Sequence, residues 1–228
     1  MKHVFSAALL AGSIALAGLF IFLGMRQVVT KDRAVVAKGL STRDVKADHV
    51  VWPLDYKLEG NNLADLRSRM KEANKTITKF LLDKGFEASD IQVGNTDIED
   101  RWAYNYSDHK PSNRYMVSST IVVSTDKVDL VLANQGSQLD LMNHGLVVNV
   151  NQWSVDYQFN GLNELKPVMV EEATINARAV AQKFADDAEC RLGSIRKASQ
   201  GQFSIDADAL QPWVKHVRVV TTIEYYLD

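Results

Sequence analysis

The chain has 228 residues, 46% hydrophobic and 24% charged, with 26 Lys and Arg against 28 Asp and Glu for a formal net charge of −2. That composition supports a packed core and excludes wholesale disorder. The near-neutral balance argues against a nucleic-acid surface, and a lone cysteine, Cys190, excludes an internal disulfide and any Cys-rich metal site.

Residues 4–25 carry no formal charge, follow Lys2 and His3, and close at Arg26. A helix of that length covers roughly 33 Å, about one hydrocarbon core. Ala15-Leu16-Ala17 resembles a small-x-small cleavage site, which makes a removed signal peptide and a soluble periplasmic product the rival reading. The apolar run nevertheless continues from Gly18 to Leu23, beyond where a signal peptide's hydrophobic region stops. The sequence therefore predicts a transmembrane signal anchor over 1–26, crossing through residues 4–25, then a short tether over 27–32. Lys2 and His3 favour a cytoplasmic N-terminus, while Arg26, Lys31 and Arg33 pull the other way.

Beyond the tether, Val35, Ala37 and Gly39 open a strand. The next run alternates: Val50, Trp52, Leu54, Tyr56 and Leu58 share one face, and Val51, Pro53, Asp55, Lys57 and Glu59 the other. Pro53 cannot donate to a ladder, so an edge or a bulge is expected there. Asn61 or Asn62 caps a helix through Leu63, Leu66, Met70, Ala73, Ile77 and Phe80, and Gly85 ends it. Strands are predicted near Ile91–Trp102 and Arg114–Ser124, separated by a polar loop containing Pro111. A second helix runs from Asp126 through Val128, Leu132, Leu139 and Met142 to Gly145. A second long strand follows, with Val147, Trp153, Val155, Tyr157 and Phe159 on one side, although Asn149 and Asn151 interrupt that face. A third helix begins at Leu165 or Pro167, with the proline in its first turn, and two strands finish the chain near Ser194–Ile205 and His216–Leu227.

The order strand, helix, strand, strand thus occurs twice, giving pseudo-repeats over about 46–124 and 146–228 with an extra helix between them. Both copies carry the phrase Trp-x-(Leu or Val)-Asp-Tyr, as Trp52 to Tyr56 and Trp153 to Tyr157. Trp52, Tyr56, Trp153 and Tyr157 fall on apolar faces and are expected to be core residues of a duplicated scaffold. Asp55 and Asp156 point away. The fold class is α+β, with long antiparallel strands packed on helices.

Several segments carry a family resemblance. They are VVAKGLSTRDVKADHVVWPLDY, MKEANKTITKFLLDKGFEASDIQV, NRYMVSSTIVVSTDKVDLVLANQGSQLDLMNHG and EEATINARAVAQKFADDAECRLGSI. In order and spacing they resemble the SIMPL-domain proteins of the bacterial envelope, a group that includes periplasmic immunogenic and oxidative-stress-defence proteins. The match covers residues 33–228, with Gly39, Asp48, Asn74 and Tyr115 at matching places. Leu40 and Ser41 replace the usual second glycine region, and Ala47 stands where a proline often precedes the aspartate. The resemblance implies an α+β domain facing the periplasm, no established enzymatic activity, links to envelope or oxidative stress, and homo-oligomeric rings in some members.

Residue by residue, chemistry is sparse. The histidines His3, His49, His109, His144 and His216 show no metal-ligand spacing. Asp97, Glu99 and Asp100 lack the glycine turn and terminal glutamate of a calcium loop and read as a solvated strand end. Cys190, near Arg191, reads as an inert thiol. No catalytic residue, cofactor or metal is predicted. The favoured reading is a non-catalytic, single-pass inner-membrane protein that works through self-association or partner binding. A small-molecule carrier is the alternative, and an enzyme assembled from Asp48, His49 and Arg114 ranks below it.

Overall fold

The computed structural model describes residues 12–23, 33–103, 110–149 and 154–228. In chain order its elements are helix α1 (12–23), β1 (Ala34–Lys46), β2 (His49–Gly60), α2 (Leu63–Asp83), β3 (Ile91–Asp100), β4 (Tyr115–Thr125), α3 (Val128–Asn134), β5 (Asp156–Gln158), α4 (Leu162–Asp187), β6 (Leu192–Gln200), β7 (Ser204–Ala207) and β8 (Val214–Leu227). The class is α+β, with two antiparallel sheets of four strands each. One unit comprises Val45–Leu162 and Ala207–Lys215; the other comprises the described parts of Met1–Asp44, with Asn163–Asp206 and His216–Asp228.

In the first unit the sheet order is β3-β4-β2-β5. The alternation along β2 buries Val50, Trp52, Leu54, Tyr56 and Leu58, and the facing β4 buries Val117, Ser119, Ile121, Val123 and Thr125. The register sets Trp52 opposite Val123, Leu54 opposite Ile121 and Tyr56 opposite Ser119. Helix α2 covers this face with Leu66, Ala73, Ile77 and Leu81, each large aliphatic worth about 1.5–3 kcal/mol on burial. Its start is fixed by Asn62, whose side chain accepts from the N–H groups of Ala64 and Asp65. Its end is fixed by Gly85, whose φ of +95° suits a residue without Cβ. On its other side β2 pairs with β5 only over His49–Val51, so Pro53 lies just past the last paired residue there.

The second unit has the order β1-β8-β6, with β7 also pairing to β8. Strand β8 buries Val217, Val219, Thr221, Ile223 and Tyr225, and α4 presents Met169, Ala173, Ala177, Ala181 and Ala185 as a fully buried stripe. The alanines let strand and helix come very close. A Cβ on Gly39 would stand 1.8 Å from the carbonyl oxygen of Ala173 and 2.4 Å from the amide nitrogen of Ala177, so no side chain fits there. Ser41, buried, donates to Glu172 at 2.9 Å, and Asn176 donates to the Leu40 carbonyl at 2.9 Å.

Three sequence expectations need correction. The second long strand is not one: β5 has three residues, and before it Val148 makes only an isolated bridge to Tyr56. Asn149 turns its N–H to the Asp55 carbonyl at 2.7 Å instead of extending a ladder. The long first strand of the second sheet is β1. The second predicted helix is α-helical only to Asn134 and continues as a 3-10 turn over Gln135–His144. The tighter winding buries Gln138 and Leu141 and exposes Leu139 and Met142. Helix α4 begins before Pro167, which sits inside it and removes one rung of the ladder. Among the described residues no helix is long and apolar enough to cross a membrane. Of the predicted span, α1 covers 12–23; residues 4–11 and 24–25 lie outside the described residues.

Candidate interaction surface

The residues singled out from the sequence are distributed over joints of the scaffold. Trp52 is buried and meets the Phe86 ring at 6.0 Å. Tyr56 donates to Asn74 Oδ1 at 2.6 Å, so Asn74 on α2 orients the strand's tyrosine; burial raises the phenol's pKa. Tyr157 is also buried and meets Trp213 edge-on at 6.1 Å. Its hydroxyl finds no hydrogen-bond partner among the described residues, and burial pushes its pKa up to about 12. Gln135 offsets this slightly without reaching hydrogen-bond geometry. Trp153 lies outside the described residues.

Asp48 accepts from the N–H groups of Asn160 (2.8 Å) and Gly161 (2.7 Å), the two residues preceding α4. It acts as a cap on the chain entering that helix. Tyr115 opens β4 under the guanidinium of Arg114, 4.9 Å above its ring. Arg114 in turn donates to the Asp100 carboxylate from Nε and Nη2, the shortest contact being 2.7 Å from Nη2. That bond holds the Asp100 carboxyl below its usual range and raises the guanidinium. Arg114 also lies 5.7 Å from the Trp102 ring.

His49 shows a connectivity that the sequence did not suggest. Its Nε2 is 3.0 Å from Ser124 Oγ and its Nδ1 is 2.7 Å from Asp126 Oδ1. The order serine, histidine, aspartate is that of an acyl-transfer triad, but such a triad relies on a buried carboxylate in a water-excluding pocket. Asp126 is 87% exposed. A cavity of about 580 Å³ in this unit is lined farther along the strands, by Asp55, Tyr56, Lys57, Ser118, Ser119, Thr120, Val147 and Asn149. Asp55 is already engaged there by Thr120. The His49 group therefore latches the start of β2 to the end of β4. Among the described residues no three His, Cys, Asp or Glu side chains are grouped to hold a metal ion. Cys190 follows α4 and directs its thiol at the Ala188 carbonyl, 3.3 Å away.

What distinguishes the surface is a pair of uncovered strands. β3 is exposed along its whole length except the half-buried end residues Ile91 and Asp100. Along β6, Ser194–Gln200 are exposed and only Leu192 and Gly193 are half-buried. Each ends its sheet's pairing path. A strand that covers a core hides every second residue; these two hide almost none. Ile98 (58%) and Ile195 (52%) stand open on them. Strand edges and bare apolar side chains together are the ordinary substrate of strand-to-strand association.

A family model described as "SIMPL: Protein of unknown function (DUF541)" matches residues 35–219. No curated protein matches the chain.

Proposed function

Because the chain belongs to the SIMPL family, we propose that it is a membrane-tethered, periplasm-facing envelope protein that acts without catalysis, by self-association or partner binding, in envelope or oxidative stress. The observation that carries this reading is the exposure of β3 and β6 on both faces. Stable monomers keep edge strands short, covered or twisted away. Here two strands of ten and nine residues are neither short nor covered, although a register shift interrupts the pairing of each to its inner neighbour. A tether is supported by α1, whose every residue is exposed, Phe20 by 70% along with Ile14, Leu16, Leu19, Ile21, Phe22 and Leu23. A helix with no polar face gains most from a lipid environment.

One observation favours a second reading, a small-molecule carrier. It is the cavity beside Asp55 and Lys57, whose wall is mostly apolar with a few hydroxyls from Tyr56, Ser118, Ser119 and Thr120, and therefore suited to a small ligand with an apolar body and a polar end. The deciding measurement is the protein mass of the full-length chain in mild detergent by sedimentation equilibrium. A defined multiple of 25.5 kDa is expected. A single 25.5 kDa species, unchanged on concentrating, overturns self-association and leaves the carrier reading ahead.

A further inference from the structure

The two uncovered edges differ in sign. Strand β3 contains Asp97, Glu99 and Asp100 and no cation, whereas β6 contains Arg196 and Lys197 and no carboxylate. Asp100 is held by Arg114 and Arg196 by Glu224. Asp97 and Glu99 form no ion pair among the described residues, and Lys197 shares with Arg196 the single carboxylate of Glu224 opposite it on β8, so β3 keeps net negative charge and β6 net positive charge. We propose that copies of this chain associate head to tail, the edge of β3 in one pairing with the edge of β6 in the next. The inference rests on the self-association reading above and assigns its interface.

Three considerations select this pairing. First, β3 and β6 are the long strands with both faces bare. At the opposite ends of the two sheets, β5 has three residues, and β1 buries Ala37, Gly39 and Ser41 on one face. Second, pairing would cover apolar groups on both partners, Val93 and Ile98 on β3 and Ile195 on β6. Third, charge discriminates between arrangements. A β3–β3 contact would bring Asp97 and Glu99 against their own copies, and a β6–β6 contact would do the same with Arg196 and Lys197. Like charges opposed across a ladder are destabilising and opposite ones favourable. The same charges that keep each edge from pairing with itself thus direct it to the other. Such a contact is heterologous: it leaves one free edge of each kind and propagates into a closed ring or an open filament.

The test uses the full-length chain in mild detergent, with mass read by sedimentation. The variants are Asp97→Lys/Glu99→Lys on β3, Lys197→Glu/Ser199→Glu on β6, and the four changes combined. All four positions are exposed, so the fold should persist, with a small loss in thermal unfolding for Lys197→Glu, which meets Glu224 across the β6–β8 ladder. Each double variant should associate at least tenfold more weakly than the parent chain, and the combined variant should recover. As an independent measurement, Ile98→Cys and Ile195→Cys chains, both in a Cys190→Ser background, should cross-link on oxidation when mixed and far less when either is alone. An oligomer unmoved by both reversals, a response to only one of them, or equal cross-linking of the separate chains each overturns the β3–β6 assignment while self-association stands. A parent chain that is monomeric throughout removes the underlying reading instead.

Discussion

The two units lay a helix on an antiparallel sheet in different ways. In the first, bulk fills the space: Trp52, Leu54, Tyr56 and Phe86 meet Leu66, Ile77 and Leu81, and the helix stands off by the width of those side chains. In the second, absence of bulk does the work, with Gly39 against the backbone of Ala173 and Ala177 and an alanine at every fourth position of α4. The same succession of strand, helix and strands therefore tolerates opposite packing solutions. Each is vulnerable to the opposite kind of substitution.

The largest effect is expected from Trp52→Ala. Removing a buried indole should cost about 3–5 kcal/mol, measured by urea unfolding of the full chain in detergent. A loss under 1 kcal/mol would mean that the first unit's core is held elsewhere. Gly39→Ala makes the complementary change and should cost about 1–3 kcal/mol by overpacking. Hydrogen exchange should localise the damage to β1, β8 and α4, with β2 and β4 unchanged. Equal loosening in both sheets would sink the contrast between the two packing modes.

The unequal legibility of the units has the same physical origin. The face of β2 and the limits of α2 are written in local signals, a period of two and the caps Asn62 and Gly85. Strand β1 pairs far along the chain with β8, and no local pattern specifies so distant a partner. Gly39 and the alanine-rich helix were both visible in the sequence as family-like features. That they touch is a tertiary fact. The stretch before β5 misled because Val147, Val155 and Tyr157 share a period of two, yet Val147 is exposed, Val148 is buried in its place, and Asn149 spends its N–H on the Asp55 carbonyl. Of the β3 carboxylates read as a solvated strand end, Asp97 and Glu99 are exposed while Asp100 is half-buried and held by Arg114; exposure on both faces depends on what fails to cover the strand, which a sequence does not state. The His49–Ser124–Asp126 latch was missed because its members are adjacent only through the β2–β4 register.

Asp48 offers a smaller test. Asp48→Ala strips two N–H groups of their acceptor where the chain enters α4. The expected loss is about 1–2 kcal/mol, with Asp48→Asn recovering part of it. If Asp48→Ala unfolds like the parent chain, the cap contributes nothing and the matched aspartate awaits another explanation.

The finest contrast lies between the two tyrosines of the repeated phrase. Tyr56 gives its proton to Asn74 at 2.6 Å, whereas the equally buried Tyr157 hydroxyl has no partner among the described residues. Tyr56→Phe should therefore cost about 1 kcal/mol, since Asn74 loses a bond in a partly buried site. Tyr157→Phe removes an unsatisfied hydroxyl and should be neutral or slightly stabilising. The alkaline limb separates them further. Tyr157 holds its proton to about pH 12 when folded, against about 10 for an ordinary tyrosine. Between those values the folded state binds more protons than the unfolded one, so stability falls as pH rises. That contribution is complete below pH 10 and is lost as pH climbs towards 12. Tyr157→Phe should flatten this part of the stability profile. A slope unchanged by Tyr157→Phe, or a destabilisation matching that of Tyr56→Phe, would show that the second tyrosine is bonded after all and that the two copies of the phrase do the same work.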